Sequence, residues 1–252
     1  MTDRRELMLS KLRAFAVHLC GSVAIISLYL LLVFLVWYPY PYFAIEKVWD
    51  VIRVVIGVDI FIGPLLTLVV YRAGKPSLKF DLTAIIAVQL AALIWGATVT
   101  YTQRPAYTAL VSDNAVFKVV SASDVDTRAL ADPALNISPW SGPRMVYVDL
   151  PYDQEEYVRL GKENLKNGRE FAQYTQFYEP ILSRKDEVLK QAIDIRQRMT
   201  LFPELRKMVA AVLDRHGGTL DDYIFVSVEG RVSLGFLMLR RDDLQVVDAL
   251  LE

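Results

Sequence analysis

GVDIFIGPLLTLVVYRAGKPSLKFDL, residues 57–82, begins as an apolar helix and ends in a charged turn. The apolar run that contains most of it, residues 51–71, holds Asp59 near its middle and a Gly63-Pro64 pair about one turn further on. A carboxylate and a helix-breaking pair are both costly in hydrocarbon, so each requires a partner or a function. Asp59 sits eight residues into the run, about 12 Å below the nearer interface at about 1.5 Å per residue.

Two further runs flank this one. Residues 14–38 carry no formal charge, and at about 1.5 Å per residue they are long enough to cross about 30 Å of hydrocarbon. Residues 82–101 are equally free of charge, with Asp81 or Ser77 to cap the start and Gln103-Arg104-Pro105 to close the end. The sequence therefore predicts three transmembrane helices. A cleavable signal peptide competes for the first run, because Arg4, Arg5, Lys11 and Arg13 precede it. However, the run exceeds an ordinary signal core, and no small-x-small site precedes Trp37-Tyr38-Pro39-Tyr40-Pro41-Tyr42. It is read as an uncleaved span, and the aromatic cluster as an interfacial belt.

Composition agrees with this division. Of the 252 residues 54% are hydrophobic, and mean hydropathy is +0.29, high for a soluble protein. Residues 1–102 carry 9 Lys and Arg against 6 Asp and Glu, and residues 103–252 carry 19 against 23. Basic residues gather beside the first span and in the turn with Arg72, Lys75 and Lys79, while the connection at 39–50 is nearly balanced. The positive-inside rule places the N-terminus in the cytoplasm and, after three spans, everything beyond Arg104 across the membrane, in the periplasm of a Gram-negative cell. Neither half is basic enough for nucleic acid. The single cysteine, Cys20, excludes an intramolecular disulfide, and no CxxC or zinc pattern exists.

Small residues at helical spacing, Cys20-x-x-x-Ala24, Ala87-x-x-x-Ala91 and Ala92-x-x-x-Gly96, predict a compact three-helix unit with room for a helix from another protein. Tyr29 and Gln89 are placed near enough in depth to hydrogen-bond Asp59. Two readings stay open for Asp59: a packing device bonded or protonated within the bundle, or a group that faces a partner helix. A proton relay is weaker, because no second carboxylate accompanies it in the spans.

The expected boundary between a membrane domain, 1–104, and a second domain, 105–252, follows Arg104. Beyond it, residues 107–111, 115–120 and 144–150 read as strands, with a turn at Ser112-Asp113-Asn114, and 121–143 as a loop. Residues 153–167, 181–198 and 203–216 read as helices, the last ended by Gly217-Gly218, and 223–229 with 231–239 as a hairpin about Glu229-Gly230. These elements predict a small α+β domain with an antiparallel sheet covered on one face. Little chemistry is visible in it. His216 ends a helix, where capping is the ordinary role, and His18 sits at the inner end of the first span. Asp124, Asp126 and Asp132 lack the spacing of a calcium loop, and Arg196, Arg198, Arg206 and Lys207 read as a solvated helix face. The expectation is no catalytic residue, no metal, no cofactor and no small-molecule substrate.

KLRAFAVHL near the start, WYP at 37–39, GVD at 57–59, GPLLTLVV at 63–70, GKPSLKFDL at 74–82, QLAAL at 89–93 and RP at 104–105 form an ordered set. The set resembles the type IV pilin accessory protein family of the TfpX/TfpZ type, over the whole membrane half and less distinctly up to the hairpin at Gly230. The resemblance implies a bacterial inner-membrane protein, usually encoded beside the major pilin, that acts as a pilin-specific chaperone and modulates pilus assembly; it implies no catalytic residues. Under this reading Asp59, Tyr29, Gln89, Gly63 and Pro64 are the candidate partner-binding residues, and the partners are the type IV major pilin and the lipid bilayer. Two other classes compete. A membrane-tethered hydrolase would need convergent His, Cys or acidic residues, and a membrane-anchored sensory protein would need a partner for output, since only a tail and a turn face the cytoplasm.

Overall fold

The computed structural model describes residues 2–112 and 114–251; Asp113 of the expected hairpin turn lies outside them. The chain forms two compact units, Met1–Val36 with Val48–Thr102, and Trp37–Lys47 with Gln103–Glu252. The connection after the first span therefore packs with the C-terminal part of the chain.

In the first unit, α1 (Thr2–Leu32) continues into a π-helical turn, Val33–Trp37. The sequence reading starts the first span at residue 14, but the helix begins at Thr2 because no proline or glycine interrupts it before Gly21. The charged flank thus continues the span as one rod. The second span is composite: α3 (Trp49–Ile56), a π-helical turn (Gly57–Ile62) and α4 (Gly63–Val70). The third is α5 (Leu78–Thr102). Three stretches, Arg4–Trp37, Trp49–Val70 and Leu78–Thr102, are long and apolar enough to cross a membrane. Much of their exposed surface is apolar, Val17, Leu28, Val69, Phe80 and Ile94 among it, as a lipid-facing surface requires, while Arg5, Arg13, Arg53 and Lys79 are exposed charges within the same stretches. Gly96 marks a close approach of the third span to the second. A Cβ there would lie 2.2 Å from Val55 Cγ2, so only glycine admits this approach.

The second unit is built on a seven-stranded sheet. Its strands are β1 (Pro105–Val111), β2 (Val116–Ser121), β3 (Arg144–Val148), β4 (Tyr178–Pro180), β5 (Tyr223–Glu229), β6 (Leu234–Arg240) and β7 (Val246–Leu251), in the order β4-β3-β1-β2-β5-β6-β7. The two local hairpins, β1–β2 and β5–β6, form where the sequence predicts them, but the second turns over residues 230–233 and not about Glu229-Gly230, since Glu229 pairs with Leu234. The sheet is mixed rather than antiparallel throughout, because β1 pairs with β3 and β2 with β5 in parallel. Parallel pairs need long crossovers, and nothing in a local pattern signals them.

The sheet is also covered on both faces, not one. On one side α8 (Ile195–Leu201) and α9 (Pro203–His216) bury Phe225 and Met238. The 3-10 turns of 122–135, with Phe171 and Ala172, close the same side over β1 and β3. On the other side Leu110, Phe117, Val226 and Leu237 pack against Ile181 and Val188, the latter on α7 (Lys185–Lys190), and against Tyr42 and Ile45. Helix α6 (Gln154–Asn167) begins at Asp153, whose carboxylate accepts from the Glu156 N–H at 2.8 Å, and ends at Gly168 with φ +64°. The expected helix at 181–198 is broken between α7 and α8, where Asp194 caps a new start by accepting from the Gln197 N–H at 2.9 Å.

Tyr42 and Ile45 belong to α2 (Tyr42–Ile45), in the connection between the first two spans, and they are part of the core of this second unit. The Tyr42 hydroxyl bonds Thr108 Oγ1 at 2.8 Å, Trp37 Nε1 donates to the Pro139 carbonyl at 2.9 Å, and Ser233 Oγ donates to the Ile45 carbonyl at 2.6 Å. That connection and the chain after the third span fold together, which is the arrangement that three membrane crossings would require.

Gly230 is what lets the connection in. A Cβ there would lie 2.5 Å from Ile45 Cγ2 and 2.8 Å from Glu46 Oε1. We expect Gly230→Val to cost about 1–3 kcal/mol, the usual penalty of overpacking, seen as a lower unfolding midpoint of the full chain in detergent. An unchanged midpoint would show that the connection does not dock there.

Glu46 itself is buried, with the Arg231 N–H 3.3 Å from Oε1 and Arg231 Nε 3.9 Å from Oε2. Burial pushes its carboxyl above the ordinary glutamate range, offset in part by the Arg231 N–H and charge. The folded chain then holds the Glu46 proton more tightly than the unfolded chain, so this site favours folding below the ordinary glutamate value and loses that contribution as pH rises through the raised one. Glu46→Gln should match the wild type in acid and gain relative stability toward neutral pH; denaturant midpoints across pH would show parallel curves if this is wrong.

Candidate functional site

Proline 64 sets the site. Gly57–Ile62 is wound as a π helix, and the Gly63 N–H bonds the Val58 carbonyl five residues back. The next bond in that pattern would run from residue 64 to the Asp59 carbonyl, but proline has no N–H to give. Gln89 of α5 fills the vacancy, donating from Nε2 to the Asp59 carbonyl at 3.1 Å. Gly63 makes room for it. A Cβ on Gly63 would fall 2.1 Å from Gln89 Nε2.

A polar seam extends from this point into α1. Gln89 Oε1 is 2.8 Å from His18 Nε2, and His18 Nδ1 is 2.6 Å from Thr67 Oγ1. With the amide oxygen accepting, a neutral His18 carries its proton on Nε2 and accepts the Thr67 hydroxyl on Nδ1. Ser22 Oγ is 3.5 Å from Gln89 Nε2. Gln89 thus joins all three spans, and its bonds are saturated by the bundle itself.

The Asp59 side chain is different. The residue is only 6% exposed, and its Oδ2 is buried without a hydrogen-bond partner. It lines a groove of about 710 Å³ between α1 and α5, floored by α4. The α1 wall includes Ser10, Ala14, Gly21, Ser22 and Ile25 at helical spacing, and the α5 wall includes Ile86, Gln89, Leu90 and Leu93. From Ser10 to Ile26 the α1 wall runs over seventeen residues, about 24 Å at about 1.5 Å per step.

Of the residues that the sequence proposes, the structure brings Asp59, Gln89 and Gly63 together with Pro64. Gly63 and Pro64 are buried and shape the site without facing the groove. Tyr29 stands apart. Its hydroxyl bonds Thr100 Oγ1 at 3.2 Å, seven residues further along α1 than Ser22. His18, Ser22 and Thr67 are the members that sequence reasoning missed. Their signal was present, since a histidine and a serine four residues apart in an apolar run fall on one helix face.

A second polar cluster lies in the other unit. Asp248 of β7 is fully buried and takes hydrogen bonds from Tyr40, from Arg215 at 2.8 Å, and from His216 Nε2 at 2.8 Å. Burial first, then the Asp248 carboxylate, pushes the Tyr40 hydroxyl up to about 12, against the Arg215 charge. His216 therefore does more than cap α9: with Arg215 it clasps the connection at Tyr40 to the last strand. No local pattern signals this, because residues 40, 215 and 248 are distant along the chain.

Comparison with known proteins places the chain. A family model described as fimbrial assembly protein FimB matches residues 6–46. The fimbrial assembly protein of Dichelobacter nodosus serogroup I is 25% identical over 99% of this chain and 97% of its own length, and that of serogroup E1 is 24% identical over the same shares. The fimbrial assembly protein of serogroups C1 and C2 is 31% identical over 50% of this chain and 94% of its own length. The chain belongs to the fimbrial assembly protein family. This agrees with the type IV pilin accessory resemblance carried by the motifs of the membrane half. No solved structure matches it. In this member of the fimbrial assembly protein family, the stretch matched by the FimB model carries one wall of the groove, with His18 and Ser22, and continues through Tyr40 and Tyr42 into the connection.

Gln89→Leu would leave the Asp59 carbonyl and His18 without their partners. The expected cost is about 1–3 kcal/mol, that of an unsatisfied buried polar group, read from unfolding in detergent; Gln89→Glu should recover little, because it removes the Nε2 donor. A neutral Gln89→Leu would mean that the Asp59 carbonyl finds another donor.

Proposed function

We propose that this fimbrial assembly protein is an inner-membrane accessory factor that binds the type IV major pilin and keeps it in the membrane in a form ready for assembly, as a pilin-specific chaperone would. The observation that carries the reading is the groove between α1 and α5. It is long enough for a helix, walled by two helical stripes, and floored by a composite span. Small side chains on the α1 wall, Ala14, Gly21 and Ser22, permit the close backbone approach on which helix association in lipid depends. A Cβ on Gly21 would meet nothing within 4 Å, so the space beside it is open to an incoming helix.

In this reading the groove holds the apolar helix of the pilin while the sheet domain meets its head. The charge asymmetry of the flanks favours a cytoplasmic N-terminus and a periplasmic sheet domain. The relatives that align over nearly the whole chain are named for fimbrial assembly, which fits a dedicated assembly factor. The groove gives Asp59 a place in partner binding, since it stands among the residues that line it.

Photo-crosslinking amino acids placed at Ile25 and Ile86, one on each wall, should capture the co-expressed major pilin in intact membranes, and a probe at the lipid-facing Val88 should not. Deleting the gene should lower pilin level or surface piliation. Absence of a pilin adduct at both wall positions, with piliation unchanged on deletion, would refute the reading.

A further inference from the structure

Resting on that reading, we infer that the helix received by the groove carries a hydrogen-bonding polar group at mid-membrane depth, and that this group completes Asp59 by bonding its Oδ2. The polar atoms around Asp59 divide sharply. Gln89 spends its amide on the Asp59 carbonyl, Ser22 and His18 and also interacts with the Asp59 carboxyl, and His18 spends its other nitrogen on Thr67. These bonds close within the bundle. Asp59 Oδ2 is left over, buried, and without a partner among the described residues. A buried polar oxygen with no partner is costly anywhere and most of all in hydrocarbon, where no water replaces the missing bond.

Asp59 is among the residues that line the groove, and a turn of its carboxyl about the Cβ–Cγ bond brings the buried Oδ2 to whatever fills it. Depth then selects the occupant. Within the span Trp49–Val70, Asp59 is ten residues from one end and eleven from the other, about 15 Å from either at about 1.5 Å per residue. Lipid tails carry no hydrogen-bonding group, and lipid headgroups stay at the interfaces. A helix in the groove carries polar side chains to any depth, and its first residues carry free N–H groups. The shape argues likewise, since two facing helical stripes form a trough of helix length. The complement to Asp59 is therefore a polar side chain or chain terminus of a second polypeptide, set among apolar residues that face Ile25, Ile86 and Leu93.

This makes Asp59 a recognition residue that is idle, and a burden, in the unoccupied protein. Removing it should weaken binding without weakening the fold. In the full-length protein, Asp59→Leu should reduce pilin crosslinking from Ile86 about tenfold, the effect of one hydrogen bond between membrane helices. Asp59→Asn, which keeps a hydrogen-bonding group in place, should return it to within about threefold of wild type. The purified, unoccupied Asp59→Leu protein should melt at or above the wild-type temperature, since it loses an unpaired buried group. Undiminished crosslinking in Asp59→Leu would overturn the inference while leaving the pilin-helix reading intact. A clearly lowered melting temperature would also overturn it, by showing the carboxylate to be bonded inside the bundle. Lipid adducts alone at Ile25 and Ile86 in the wild-type protein would overturn both.

Discussion

The bond from Gln89 Nε2 to the Asp59 carbonyl is the contact on which the membrane unit turns. Proline 64 withholds an N–H in the middle of a span, and hydrocarbon offers nothing to replace it. A donor has to come from a neighbouring helix, and a glutamine reaching across glycine 63 provides it. The same amide then fixes His18, and through it Thr67. One missing backbone donor in the second span thereby determines which faces of the first and third spans turn inward, and the groove is the space those faces leave open.

The local winding has a second consequence. A π-helical turn inserts one residue beyond the α pattern, which shifts the side chains on one side of it relative to those on the other. Asp59 lies within that turn. Its backbone oxygen is satisfied from α5, while its side-chain Oδ2 is buried without a hydrogen-bond partner in a residue that lines the groove. Backbone and side chain of one residue thus serve two purposes: the first holds the helices together, and the second is free for whatever lies against them.

The sheet domain depends in the same way on a segment from elsewhere in the chain. Tyr42 and Ile45, from between the first two spans, complete one face of a sheet whose strands all follow the third span. Gly230 leaves the space, Ser233 and Arg231 bond the backbone and the carboxylate of the connection, and Asp248 anchors Tyr40. The domain is incomplete without eleven residues that precede it by more than fifty positions, Trp37–Lys47. This makes it part of the membrane protein and not an appendage on its end.

What the sequence determined by itself was whatever depends on neighbours along the chain. Run length and the absence of charge marked three spans, helical patterning marked α6 and α9 with Gly217-Gly218 closing the latter, and short β-rich runs marked the hairpins β1–β2 and β5–β6. Gln89 was legible as a neighbour of Asp59 in depth, but the bond it makes goes to the Asp59 backbone carbonyl that Pro64 leaves open, not to the side chain. Tertiary structure alone decided the rest. Tyr29 paired with Thr100 instead of Asp59, since depth along a span does not tell which face a side chain takes. The parallel pairings β1–β3 and β2–β5, the second covered face of the sheet, and the clasp of Tyr40, Arg215 and His216 on Asp248 all join residues far apart in sequence. Such contacts leave no local pattern to read, because each partner's pattern is already accounted for by its own helix or strand.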